Sequence, residues 1–297
     1  MKWVMKIFVF IVGFLCASLT LSGQDAVLYS QLFNQPELFN PAVNGTADGV
    51  RIGFFFRDQW MKVDGAPKTM ALDAFFPVND HRLGLGLSAF NQSIGLRESN
   101  FLLINASSYV DIDESSTLAF GIRAGMEFCS FDRNRIISID NSNLNYQDLN
   151  SVSPTFNIGL VYKSNNFYIG LSSFQISFKD DLAEKKLLTG VDLTGGYFFK
   201  GNKDLTIYPY TIIKAYFKNF YVFEPGINVY VSDKIGAGIG YRLGESLIFS
   251  IKVKLSKRFV MGYSYDYSLS DFSRISNGSN EFHLGYVIGK RNILMPF

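Results

Sequence analysis

The stretch Leu118-Ala119-Phe120-Gly121-Ile122-Arg123-Ala124-Gly125-Met126-Glu127-Phe128 separates into two sets with a period of two. Leu118, Phe120, Ile122, Ala124, Met126 and Phe128 are apolar, and the residues between them are small or charged. Wound as a helix, the stretch would put Gly121 and Gly125 on one face with Leu118 and Ile122. As a strand it sorts the two sets onto opposite faces. The same alternation returns in Ile235, Ala237, Ile239 and Tyr241 against Gly236, Gly238, Gly240 and Arg242. It returns again in Leu247, Phe249, Ile251, Val253 and Leu255 against Ser250, Lys252 and Lys254, and in Phe259, Met261, Tyr263, Tyr265 and Tyr267 against Gly262, Ser264 and Asp266.

Working outward, about fourteen such segments cover the chain: near 50–58, 68–76, 82–91, 100–112, 116–129, 154–163, 166–175, 187–200, 204–217, 220–231, 234–242, 246–255, 258–267 and 281–289. Turn-forming pairs separate them, among them Asn79-Asp80, Asp113-Glu114, Asn165-Asn166, Gly201-Asn202, Lys218-Asn219, Ser232-Asp233, Gly244-Glu245 and Ser256-Lys257. An even number of antiparallel strands joined by short turns suits a closed up-and-down barrel.

The faces decide which barrel. A soluble barrel would crowd every large Leu, Ile, Phe and Tyr into one interior and coat its outside with glycine. An outer-membrane barrel turns the apolar set toward lipid and the small or polar set toward the lumen, and it needs only about 9–11 residues per strand. The expected fold is therefore all-β, a transmembrane antiparallel outer-membrane barrel of about 14 strands over residues 50–297. Its lumen is expected to hold Arg123, Glu127, Asp192, Glu224, Asn228, Arg242, Lys252, Lys254 and Asp266, some of them at the rim, with their stems reaching toward water.

Composition agrees with this reading. Of 297 residues, 47% are apolar and only 18% charged, against about 25% charged in an average soluble domain. Beyond the first segment no run is long and apolar enough for a transmembrane helix. Residues 1–23 read as a secretory signal: Lys2 and Lys6 open it, Ile7 to Leu21 is apolar, and small Ser22-Gly23 precede Gln24. Its removal leaves 26 basic residues against 26 acidic ones, so the basic excess of a nucleic-acid binder is missing. It also removes Cys16, which leaves Cys129 with no intrachain disulfide partner. The chain has 29 Phe and 16 Tyr but only 2 His and 2 Cys, a poor supply for metal, redox or triad chemistry, and no cofactor is expected.

Aromatic clusters near strand ends suit girdles at the two membrane interfaces: Phe54 to Phe56, Phe75-Phe76, Tyr197 to Phe199, Tyr208 with Tyr210, Phe220-Tyr221 and Tyr263 to Tyr267. Gly84-Leu85-Gly86 opens no helix, so it reads as small lumen-facing positions rather than a phosphate loop. His283 lies in the last strand, where a lumen-facing polar residue is the plain reading. Asp111, Asp113 and Glu114 lack the glycine and distal glutamate of a calcium loop and read as a solvated turn. Two pieces do not alternate. Residues 24–49 carry Tyr29, Leu32, Phe33, Leu38, Phe39 and Asn40-Pro41, and are expected to fold into the barrel as a plug or against its rim. Residues 130–153, rich in Asp, Asn and Ser, form a long connection that reads either as a functional loop or as a solvated one.

Several motifs occur in order along the mature chain: Tyr29-Ser30-Gln31, Phe39-Asn40-Pro41-Ala42, Asn44-Gly45, Arg57-Asp58-Gln59-Trp60, Gly65-Ala66-Pro67-Lys68-Thr69, Leu83-Gly84-Leu85-Gly86, Gly262-Tyr263-Ser264-Tyr265-Asp266-Tyr267 and Gly278-Ser279-Asn280-Glu281. In these the chain resembles the PorP/SprF outer-membrane proteins of the type IX secretion system, with Asp58 where the family often has Asn and Asn280 where it often has His. The resemblance implies a non-enzymatic barrel in the bacterial outer membrane that assists export of secreted proteins or retains them, adhesins included, at the cell surface. Its partners would be outer-membrane lipid and type IX secretion components or exported surface proteins. Asn40, Pro41, Arg57, Asp58, Gln59, Trp60, Gly65, Pro67 and Lys68 are the candidate motif, fixing the N-terminal segment or forming a partner surface. Trp60 as an interface anchor and Asp64-Gly65 as a turn explain part of it structurally. A general diffusion porin or small-solute channel is the alternative on the same barrel, and it would show steady conductance.

Overall fold

The computed structural model describes residues 29–31, 36–46, 49–78, 83–132, 149–173, 176–177, 190–201, 205–216, 220–232 and 234–289. The segment expected to be a signal, the turn holding His81, most of the 130–153 connection and the C-terminal Phe297 lie outside them. The described residues form a closed antiparallel barrel of 14 strands. They are β1 (Gly49–Asp58), β2 (Lys68–Val78), β3 (Leu83–Ile94), β4 (Arg97–Asp113), β5 (Ser116–Phe131), β6 (Leu149–Ser164), β7 (Phe167–Ser173, continued by Ile176–Ser177), β8 (Gly190–Tyr197, continued by Phe199–Lys200), β9 (Leu205–Tyr216), β10 (Phe220–Val231), β11 (Ile235–Arg242), β12 (Ser246–Lys254), β13 (Phe259–Ser268) and β14 (Ser279–Gly289).

Each strand pairs with the next, and β14 returns to β1 in a register running from Gly49 opposite Gly289 to Asp58 opposite Asn280. Closure matters because lipid offers backbone N–H and C=O groups no partner, so a spanning sheet can have no open edge. The strands begin and end close to where the alternation stops. The largest difference is at β6, which starts at Leu149 rather than near 154. Pro154, which cannot donate to a ladder, interrupts the pattern there but is held opposite Met126.

The opening stretch shows how the faces are assigned. Phe120, Ile122 and Phe128 are 47%, 49% and 47% exposed on the outside, while Arg123 and Glu127 are 4% and 2% exposed on the inside. The same outward set includes Leu85, Leu87, Leu102, Ile104, Ile239 and Phe249. A continuous apolar band of this size on a folded surface is what lipid covers.

The aromatic clusters are not all girdles. Phe54, Phe76, Tyr197, Phe199, Tyr221, Tyr263 and Tyr267 point outward, but Phe55, Phe75, Phe198, Tyr208 and Tyr210 are buried in the lumen. A period of two forces neighbouring residues onto opposite faces, so a run of rings is split between them. Glycines make the room inside: a side chain on Gly84 would strike the Phe75 ring, and one on Gly196 or Gly236 would meet the ring of Tyr208 or Tyr230 at 2.5 or 2.6 Å. Phe198 and Tyr208 stack with centroids 4.4 Å apart, and with Tyr168, Tyr210 and Tyr230 they form an aromatic layer within the barrel.

The two ends differ. The six connections at the end that carries Gly49 and Gly289 span two to four residues each. At the other end four of the seven connections are longer, namely 59–67, 132–148, 178–189 and 269–278. The aromatic layer lies toward the short-turn end.

Candidate functional site

The interior is built around the N-terminal segment. Two 3-10 turns, Pro36–Leu38 and Pro41–Thr46, carry it through the lumen. Each opens on a proline, whose fixed φ and missing N–H suit the start of a turn. Tyr29, Leu38, Ala42 and Val43 are buried against Phe55, Ala71, Ala119 and Val161 of the wall.

Near the long-loop end the segment meets a buried cluster of charges. Arg57 of β1 reaches Glu281 at 2.7 Å and Asp266 at 2.8 Å. Arg242 of β11 reaches Glu224 at 2.9 Å and Asp266 at 3.2 Å. Ser30 sits between them: its hydroxyl donates to Asp266 at 2.7 Å and accepts from Arg57 and Arg242, each at 3.1 Å. Its backbone N–H donates to Glu281 at 2.8 Å, and the Gln31 N–H donates to the other oxygen of the same carboxylate. The Gln31 amide closes the set by donating to the Glu281 backbone carbonyl at 2.8 Å. Burying two arginines and three carboxylates is costly unless each is paired and hydrogen-bonded, and here the segment supplies part of that pairing.

Deeper in the lumen Arg123 takes over. It donates to the Glu37 and Leu38 carbonyls and to the Asn105 side chain, and its guanidinium lies 5.8 Å from the Phe90 ring centre. Arg51 faces Glu37 at 3.5 Å. Lys214 pairs with Asp192 at 3.7 Å beneath the rings of Tyr29 and Phe39. The Asn40 amide donates to the Leu160 and Leu171 carbonyls of β6 and β7, while its oxygen accepts the Ala42 N–H at 3.0 Å. Gly121 and Gly159 create this seat: a side chain on the first would run into the Pro41-Ala42 backbone, and on the second into Asn40. The gap left among Asn40, Tyr168 and Asp192 is about 10 Å³, room for roughly one water.

Tyr29 is buried within the same lumen. Burial pushes its phenol up to about 12, against the hydrogen bond from Gln92, which pulls the other way. The Gln92 amide donates to its oxygen at 3.0 Å.

The residues singled out from sequence divide between the lumen and the rim. Asn40, Pro41 and Arg57 belong to the lumen site, as do Arg123, Glu224, Arg242 and Asp266. Glu127 is buried too but pairs with Arg97, at 2.9 Å. Lys252 is buried on the lumen face of β12, and Asn228 accepts from Ser250 at 3.5 Å. Lys254 is half-buried at the short-turn rim. Asp58 and Lys68 sit opposite each other at the long-loop rim with their charges 3.8 Å apart. Gln59 and Pro67 are buried at the base of the 59–67 loop, joined by the Gln59 N–H to the Pro67 carbonyl at 3.0 Å. Trp60 at φ 50°, Lys62 at φ 73° and Gly65 at φ 73° occupy the left-handed region. Bonds to the 269–278 loop hold this conformation, from Met61 N–H to the Gly278 carbonyl at 2.8 Å and from Asn277 N–H to the Met61 carbonyl at 3.0 Å.

Sequence reading missed Glu281 as a site residue, along with Arg51, Asn105 and Lys214. The signal for Glu281 was present, since it shares the polar face of β14 with His283. Among the described residues no group of three His, Cys, Asp or Glu is arranged to hold a metal ion.

A closed ring of fourteen strands with a lipid-facing apolar exterior and a charged interior defines an outer-membrane β-barrel. The family described as the type IX secretion system membrane protein PorP/SprF matches residues 21–286, and the chain belongs to that family. No curated protein matches it. Among solved structures it is similar to the CymD monoaromatic hydrocarbon channel, at 12% identity over 87% of this chain and 93% of that one, with a TM-score of 0.51. The Acinetobacter baumannii outer membrane protein Omp33 gives 8% identity over 83% and 100% of the two chains, with a TM-score of 0.49. A Pseudomonas aeruginosa FadL homologue gives 11% over 85% and 93%, with a TM-score of 0.45. The protein is thus a bacterial outer-membrane barrel of a secretion family. In such barrels short turns face the periplasm and longer loops the exterior, so the 59–67 and 269–278 loops are extracellular and Gly49 and Gly289 are periplasmic.

Proposed function

We propose that this chain is a non-enzymatic component of type IX secretion that assists export of secreted proteins such as adhesins, or retains them at the surface. The observation that carries this reading is the occupied lumen. Residues 29–31 and 36–46 lie inside the barrel, and the Arg57, Arg242, Asp266 and Glu281 cluster is closed around Ser30 and Gln31. A lumen occupied in this way favours surfaces over a passage. In this reading 24–49 is a plug, Asn40, Pro41 and Arg57 hold it, and the strained 59–67 loop with Lys68 at its edge presents the partner surface. Backbone strain of this kind accumulates where a loop is pre-organised for binding.

Gentle detergent extraction followed by mass spectrometry tests the proposal. Type IX components or a large exported surface protein should copurify, and planar bilayers containing the pure barrel should show no steady conductance. Robust conductance with no secretion partner would overturn it in favour of a diffusion porin.

A further inference from the structure

Four cations crowd two neighbouring turns at the periplasmic end: Lys234 before β11, Lys254 at the end of β12, and Lys257 and Arg258 before β13. The Lys254 N–H donates to the Lys234 carbonyl at 2.8 Å, which sets the two turns side by side. Among the described residues none of the four has an ion-pair partner, whereas every buried arginine of the lumen has a carboxylate or carbonyl partner. Like charges gathered on neighbouring turns repel one another, and an anion between them relieves that repulsion.

Arg258 faces outward. Arg258 donates to the hydroxyl of Tyr286 at 3.4 Å, and the Tyr286 ring packs on Phe259 with centroids 4.8 Å apart. Tyr286 lies on the face of β14 that carries Leu284 and Ile288, the lipid side. Exposed Ile235, Leu255 and Phe259 flank the cations on the same band. The Ser256 hydroxyl accepts the N–H groups of Arg258 and Phe259 at 3.2 and 3.1 Å, fixing the turn that presents the charge.

We infer that Lys234, Lys257 and Arg258, with Lys254 behind them, form a binding site for an anionic phospholipid of the periplasmic leaflet. Its headgroup phosphate meets the cations and the Tyr286 hydroxyl, and its acyl chains continue along Leu255, Phe259 and Ile235. The charge is complementary, and the site is continuous with the lipid-covered band, which a soluble acidic partner would not reach.

The full barrel, purified in a neutral detergent, is offered equal amounts of dioleoyl-phosphatidylglycerol and dioleoyl-phosphatidylcholine, and the retained lipid is read by native mass spectrometry. The expected result is a phosphatidylglycerol preference of about fivefold or more. That preference should fall to near one in Lys257→Gln/Arg258→Gln, with the heat-modifiable band of the folded barrel intact. If that variant fails to fold, Lys234→Gln, which leaves the β12–β13 turn untouched, should lower the preference alone. Equal retention of the two lipids by the wild type, or an unchanged preference in folded variants, overturns the site. Wild type that ignores phosphatidylglycerol but captures polyglutamate overturns it in favour of an acidic protein partner.

Discussion

Arg57 and Glu281 face each other across the seam where the last strand meets the first, 2.7 Å apart, and the same carboxylate accepts the backbone N–H groups of Ser30 and Gln31. One side-chain pair therefore staples the barrel shut and ties the N-terminal segment to it.

Replacing Arg57 with Ala strips a buried partner from both Glu281 and Asp266. The expected cost is about 3–5 kcal/mol, the usual range for orphaning a buried ion pair. Urea unfolding of the detergent-solubilised barrel, followed by its heat-modifiable band, measures it, and a variant as stable as the wild type would remove the cluster from the stability account.

Gly159→Val places a side chain where the Asn40 amide sits. The barrel ladder should survive while the segment loses its seat. Glu37 is buried in the native protein, so the protease Glu-C should spare that bond in the wild type and cut it in the variant. Continued protection would show that the segment is held without the glycine seat.

The two faces of the wall should respond oppositely to charge. Ile104 is 62% exposed on the lipid side, and Ile104→Arg is expected to cost about 2–4 kcal/mol at mid-membrane. Lys68, whose side chain is 59% exposed beside Asp58, sits at the rim, and Lys68→Ala is expected within about 0.5 kcal/mol of wild type. Unfolding in lipid vesicles compares the two, and a large Lys68 effect would contradict a purely peripheral position.

Tyr29 gives an alkaline signature. Its phenol is raised from 10.0 to about 12, chiefly by burial. An unfolded chain ionises it first, so the stabilisation is complete below pH 10 and is lost as pH climbs to about 12. Wild type should lose on the order of 2 kcal/mol more than Tyr29→Phe across that window. Parallel unfolding curves for the two proteins would sink the argument.

Much of this was legible in the sequence, because a β-barrel wall is a one-dimensional code. Alternation at residues 118–128 or 235–242 names both faces at once, and turn chemistry marks the ends. The fate of the rings was not legible. Tyr208 and Tyr263 look alike in sequence, and the room that lets the Tyr208 ring turn inward comes from Gly196 on the adjacent strand, which no local pattern around Tyr208 records. The segment around Ser30 has no period at all, so its partners could be found only by placing strands β1, β11, β13 and β14 around it. Glu281 was hidden for a related reason: its role comes from contacts about 250 residues away in the chain, which no local pattern records.

That separation has a temporal meaning. Ser30 and Gln31 are synthesised about 250 residues before the carboxylate that receives their N–H groups, so the interior cannot be locked until the strand carrying Glu281 has arrived and the seam has closed. Any chain cut short before Glu281 would carry its N-terminal segment with nothing to fasten it. An unfastened N-terminal segment is then a physical mark of an unfinished barrel.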